Sequence, residues 1–102
     1  MSGCAENEPF VLQVHGNSMA PEFEEGQIVV VEPGQELAEG RFVIAHVDGE
    51  YLLRKLVGIG AGWRLEALDA SCPAIDLQGA SAIRGHVIQR AGRRRREHKN
   101  YC

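Results

Sequence analysis

Ser18 and Lys55 are the two side chains of this sequence whose types and setting suit a shared chemistry. A serine hydroxyl attacks a carbonyl only with a base beside it, and a lysine amine is such a base only where burial lowers its pKa. Ser18 lies in Val14-His15-Gly16-Asn17-Ser18-Met19-Ala20-Pro21, which leads through Gly26 into the valine-rich run Ile28-Val29-Val30-Val31. Lys55 follows 37 residues later, in Tyr51-Leu52-Leu53-Arg54-Lys55-Leu56-Val57. In an alternating strand Lys55 shares a face with Leu53 and Val57, an apolar setting that disfavours the charged ammonium. Ser18 is therefore the candidate nucleophile and Lys55 the candidate general base. Gly16 lets the backbone turn tightly, so the main-chain amides of Asn17 and Ser18 can face a developing oxyanion. Met19 is expected in the core or beside a substrate cleft.

Each of these residues also has an ordinary role. A serine ahead of Met-Ala-Pro caps a helical turn or shapes a loop. A lysine in a strand usually buries its stem and carries its charge to water; Arg54, on the face opposite Lys55, is assigned that role here.

These residues need a β-rich scaffold to meet, and the punctuation of the chain supplies one. Turn residues recur at Pro9, Gly16, Pro21, Gly26, Pro33-Gly34, Gly40, Asp48-Gly49, Gly58, Gly60, Gly62, Pro73, Gly79 and Gly85, with short β-branched and aromatic runs between them. Strands are expected over 10–14, 28–32, 41–47, 50–57, 63–67 and 85–90, with a short one near 74–77. Asp48-Gly49 predicts a two-residue hairpin turn pairing 41–47 with 50–57. Residues 19–24 are expected to make a short helical turn, with Ser18 as its cap and Pro21 in its first turn.

At 102 residues the chain suits one domain with a modest core, and 44% apolar with 25% charged residues is the composition of a soluble globular protein. Neither a membrane span nor a signal peptide is visible in the sequence, so a cytoplasmic protein is expected. Cys4, Cys72 and Cys102 form no paired motif and His15, His46, His86 and His98 show no ligand spacing, so neither metal nor cofactor is expected. The net charge of −3 conceals an asymmetry: residues 1–89 hold 13 acidic and 5 basic side chains, while Arg90, Arg93–Arg96 and Lys99 face only Glu97 near the end. Without interleaved aromatics, that basic end is expected to be a solvated tail rather than a nucleic-acid site.

The run Phe10–Pro21, with Gly26 and the valine-rich strand ending Glu32-Pro33-Gly34, resembles the serine motif of LexA-like self-cleaving repressors and UmuD-like proteins. That family shares a serine–lysine site with bacterial signal peptidases. The separation of Ser18 from Lys55, the Leu-Arg-Lys-Leu strand after a hairpin, and Gly85-His86-Val87-Ile88 as a closing strand extend the resemblance from Pro9 to Arg90. It implies a mainly β, coiled domain over 9–90 with short helical turns, a flexible segment over 1–8 and a disordered tail over 91–102. It also implies Ser18 as nucleophile, Lys55 as general base, main-chain donors at Asn17 and Ser18, a homodimer, a repressor or polymerase as possible partner, and a link to DNA-damage responses or phage-type regulation. Asn17 and Gln27 depart from the acids usual at those positions. Only 17 residues precede Ser18, and Gly3-Cys4-Ala5 does not match the Ala-Gly or Cys-Gly scissile bond, so cleavage of a polypeptide in trans is expected. Two alternatives are a non-catalytic dimerisation or partner-binding subunit and a small β nucleic-acid-binding module.

Overall fold

The computed structural model describes residues 8–77, 79–92 and 98–101. Its strands are β1 (Phe10–Gln13), β2 (Ile28–Pro33), β3 (Phe42–Val47), β4 (Glu50–Ile59), β5 (Gly62–Glu66), β6 (Ile75–Leu77), β7 (Ile83–Ala91) and β8 (Lys99–Asn100). They form one sheet in the order β1-β2-β7-β3-β4-β5-β6, with β8 beside β7, and every pairing is antiparallel. The mainly β fold is as expected. No helix forms among the described residues, and so none there is long and apolar enough to cross a membrane.

The β3–β4 hairpin sets the register of the site. Asp48 and Gly49 take φ of 52° and 82°, the positive values a two-residue turn of this kind demands. From that turn the pairing runs from Val47 opposite Glu50 back to Val43 opposite Arg54 and Phe42 opposite Lys55. Arg54 and Lys55 are thereby committed to opposite faces of β4.

Bulges between Val30 and Val31 and between Ile44 and Ala45 bend the sheet, because an extra residue in one strand increases its local twist. The coiled sheet encloses two groups of buried side chains. One holds Val14, Met19, Phe23, Val29, Val31, Ile44 and Val87. The other holds Val43, Ala45, Leu56, Leu65 and Ile83. Val43 and Ile44 are neighbours in β3 and serve different groups, as alternation along a strand requires.

Two expectations change. Residues 19–24 make a single turn, with Phe23 N donating to Met19 O, and no helix follows; Glu24 N instead donates to the Gln27 side chain. Ser18 therefore caps nothing. In the basic tail, residues 93–97 lie outside the described residues, but β8 returns to pair with Gln89 and Arg90, along the edge of β7 that β3 leaves unpaired. The return has an apolar reason: the Tyr101 ring stacks on Phe23 and meets Phe42 edge-on. The expected flexible segment falls mostly on residues 1–7, which also lie outside the description.

Candidate functional site

Ser18 sits on the loop between β1 and β2, and that loop is fixed at its base and its tip. At the base, Val14 N donates to Gln27 O at 2.8 Å and Gly26 N donates to Val14 O at 2.9 Å. At the tip, Met19 and Phe23 are fully buried in the core. The Ser18 carbonyl accepts from Asp69 N at 2.9 Å, which ties the loop to the connection after β5. A serine held in this way can aim its hydroxyl at one partner.

That partner is Arg54. Its Nη1 donates to Ser18 Oγ at 3.1 Å and to the carbonyl of Leu53 at 2.8 Å. Its Nε is shut away from solvent with no hydrogen-bond partner. The solvent-facing role expected of Arg54 is corrected: the side chain turns along β4 to the serine loop. A guanidinium holds its protons at any ordinary pH and has no acceptor, so it can donate to the serine oxygen but cannot take its proton.

Lys55 lies on the other face of β4, half-buried, opposite Phe42 on β3 and Glu66 on β5. It is absent from the walls of the cleft into which Ser18 faces. That cleft, of about 350 Å³, is walled by Leu12, Val14, Met19, Val29, Ile44, Leu52 and Leu53, with Ser18, Arg54, Gln13, His15 and Tyr51 as its polar members. Met19 accordingly serves both core and cleft. No hydrogen bond among the described residues uses the amides of Asn17 and Ser18. Sequence reasoning did not find Tyr51, Leu52 or Arg54 as cleft residues, and the register gives no signal for Arg54: it pairs Arg54 with Val43 of the second buried group, and Lys55 with Phe42, which packs on the first group together with Met19.

A coiled antiparallel sheet with a pinned serine loop over a cationic strand defines a class, and the chain belongs to it: residues 2–88 match the family described as Peptidase S24-like. The Repressor protein C2 of Salmonella phage P22 is 35% identical over 91 residues, which cover 83% of this chain and 42% of that protein. The Prophage repressor CohE of Escherichia coli is 34% identical over 78% of this chain and 37% of its own length. The HTH-type transcriptional regulator for conjugative element SXT of Vibrio cholerae is 32% identical over 87% of this chain and 45% of its own. The chain thus spans less than half the length of these relatives.

Proposed function

We propose that this chain is the regulatory domain of a repressor-type regulator, and that its Ser18 cleft holds a polypeptide segment without cutting it. One observation carries the reading: the cation bonded to Ser18 Oγ is the guanidinium of Arg54, at 3.1 Å. Serine chemistry needs a proton acceptor there, and arginine is not one. Repressors and regulators among the relatives support the regulatory role.

The second reading is a serine peptidase acting in trans, with Ser18 as nucleophile, Lys55 as general base and the Asn17 and Ser18 amides as oxyanion donors. Membership of a peptidase-like family and the unengaged state of those two amides favour it. A mass-spectrometric search for new termini in a proteome-derived peptide library separates the two. The wild-type protein is expected to produce none above the Ser18→Ala background. Arg54→Lys, which puts an amine in place of the guanidinium that meets Ser18 Oγ, is expected to gain Ser18-dependent cleavage. Wild-type cleavage that is lost in both Ser18→Ala and Lys55→Ala would overturn the binding reading and establish the dyad.

A further inference from the structure

Ser18 is flanked by two peptide planes, and both are held through their carbonyls. The Asn17 carbonyl accepts from Ala20 N at 3.1 Å, inside the loop. The Ser18 carbonyl accepts from Asp69 N at 2.9 Å, from outside it. A peptide unit is rigid and planar, so the two bonds together fix the backbone dihedrals of Ser18, and with them the direction in which its Cβ and Oγ leave the chain. The first bond belongs to the loop's own turn. The second depends on a residue that comes only after β5.

The chain between β5 and β6 must therefore set one amide beside the serine loop. Ala67 begins that task by packing against the buried group that holds Met19. Residues 68–71 beyond it are exposed, so burial does not fix Asp69. Hydrogen bonds do. Asp69 Oδ1 accepts from Ser71 N at 2.9 Å and from Ser71 Oγ at 2.8 Å, and Cys72 N donates to the Asp69 carbonyl at 3.1 Å, which closes a four-residue turn. An aspartate bonded to the backbone two residues ahead orders a turn that has no core beneath it. The bonds from Ser71, the backbone one first, hold the Asp69 carboxyl below its ordinary pKa, so it is a charged acceptor at neutral pH. We propose that Asp69 is a positioning residue for the Ser18 hydroxyl: its amide holds the Ser18 carbonyl, and its carboxylate, through Ser71, keeps that amide in place. The hydroxyl so placed meets Arg54 Nη1 at 3.1 Å. Asp69 is not among the residues that line the cleft, so it acts on the geometry of the serine and not on a ligand. The assignment holds whether the cleft grips a polypeptide or cuts one.

The test is side-chain NMR of Arg54. Its Nε is shut away from solvent, so the proton there is protected from exchange and gives a signal that follows the placement of the guanidinium. Ser18→Ala removes the accepting oxygen and marks where that signal lies without the serine bond. Asp69→Ala is expected to move the signal to that mark. Asp69→Asn keeps an Oδ1 acceptor for both Ser71 donors without the charge, and is expected to leave the signal near its wild-type position. Circular dichroism shows that each variant has formed its sheet, and urea denaturation read by Trp63 fluorescence gives its midpoint. An Arg54 signal that stays at the wild-type position in Asp69→Ala, whatever the midpoint does, is what a merely structural role predicts, and it overturns the proposal. Equal movement in Asp69→Ala and Asp69→Asn overturns it as well, because the charge and not the bonded turn would then be acting. If Asp69→Ala does not fold, Ser71→Ala takes its place: it removes one of the two bonds to the carboxylate and should move the signal part of the way, and an unmoved signal overturns the proposal equally. The readout is independent of peptide cleavage, so a failure here and a failure of the reading of the cleft are told apart.

Discussion

Gly85 shows how a single residue fixes the geometry around the site. A Cβ built there would lie 2.5 Å from the carbonyl oxygen of Glu32 and 2.6 Å from a methyl of Val31. The backbone has no room to retreat, because Gly85 is paired with Pro33 on one side and Ile44 on the other. Gly85→Ala is expected to destabilise the fold by roughly 1–3 kcal/mol, the usual range for forcing extra volume into a packed interior. Urea denaturation followed by Trp63 fluorescence should show a lower midpoint with an unchanged slope. An unchanged midpoint would mean that the two strands separate freely. At Ser18 the sequence was legible as far as the residue, its turn and its loop. It was not legible as to which cation meets the serine. The reason is physical: β4 has apolar neighbours on both faces, Leu52 and Leu56 beside Arg54 and Leu53 and Val57 beside Lys55, so alternation alone does not say which face turns to the loop. The pairing from Val47 and Glu50 inward sets Lys55, not Arg54, on the face of the buried group that holds Met19, and Arg54 meets Ser18 by bending its side chain back over the Leu53 carbonyl, which no sequence pattern announces.

Among the elements, the hairpin was fully legible and β8 was not. Asp48-Gly49 announces its turn locally, whereas β8 depends on Glu22 and Phe23, which lie more than 70 residues earlier in the chain. Glu22 holds that strand. Its carboxylate accepts from Lys99 Nζ at 2.8 Å and from the Tyr101 hydroxyl, and Arg90 lies within ion-pair distance. These partners, Lys99 first and Tyr101 next, hold the Glu22 carboxyl below its ordinary pKa, against the opposing effect of burial. Burial and the bond to Glu22 push the Tyr101 hydroxyl up, so it stays a donor. A carboxyl whose pKa is lowered by folding stabilises the folded state above its unfolded pKa, and that contribution disappears as the pH falls through the folded pKa. β8 is therefore expected to stay docked at neutral pH and to release only below the ordinary carboxylate range. The Tyr101 ring resonances, displaced by Phe23 and Phe42 at centroid distances of 5.3 and 5.7 Å, report docking directly in a pH titration by NMR. Glu22→Gln, which cannot ionise, should weaken docking already at pH 7 and flatten the titration. Tyr101 resonances that stay shifted down to pH 2 in the wild-type protein would show that the aromatic stack alone holds the strand.

For the molecule as a whole, the question is whether the two buried groups behave as one core. β3 contributes Ile44 to the first and Val43 and Ala45 to the second, and β7 contributes Val87 to the first and Ile83 to the second. Neither group can open without breaking strands that the other also uses, so the domain should unfold in one step, as small domains commonly do. Each side has its own reporter: Trp63 packs on the second group and Tyr101 on the first. Met19→Ala removes buried volume from the first group and Leu56→Ala from the second, and each deletion is expected to cost about 2–5 kcal/mol. In both variants, Trp63 fluorescence and the Tyr101 signal should move together to the same lower midpoint. If Met19→Ala lowered the Tyr101 midpoint alone, the two halves would be separate folding units. The cleft makes this coupling matter for function. Met19, Val29 and Ile44 belong at once to its wall and to the first core group, so the cleft has the rigidity of the whole sheet behind it. A site built into such a core presents the Ser18–Arg54 pair in one arrangement, which favours selecting one fitting segment over reshaping around many.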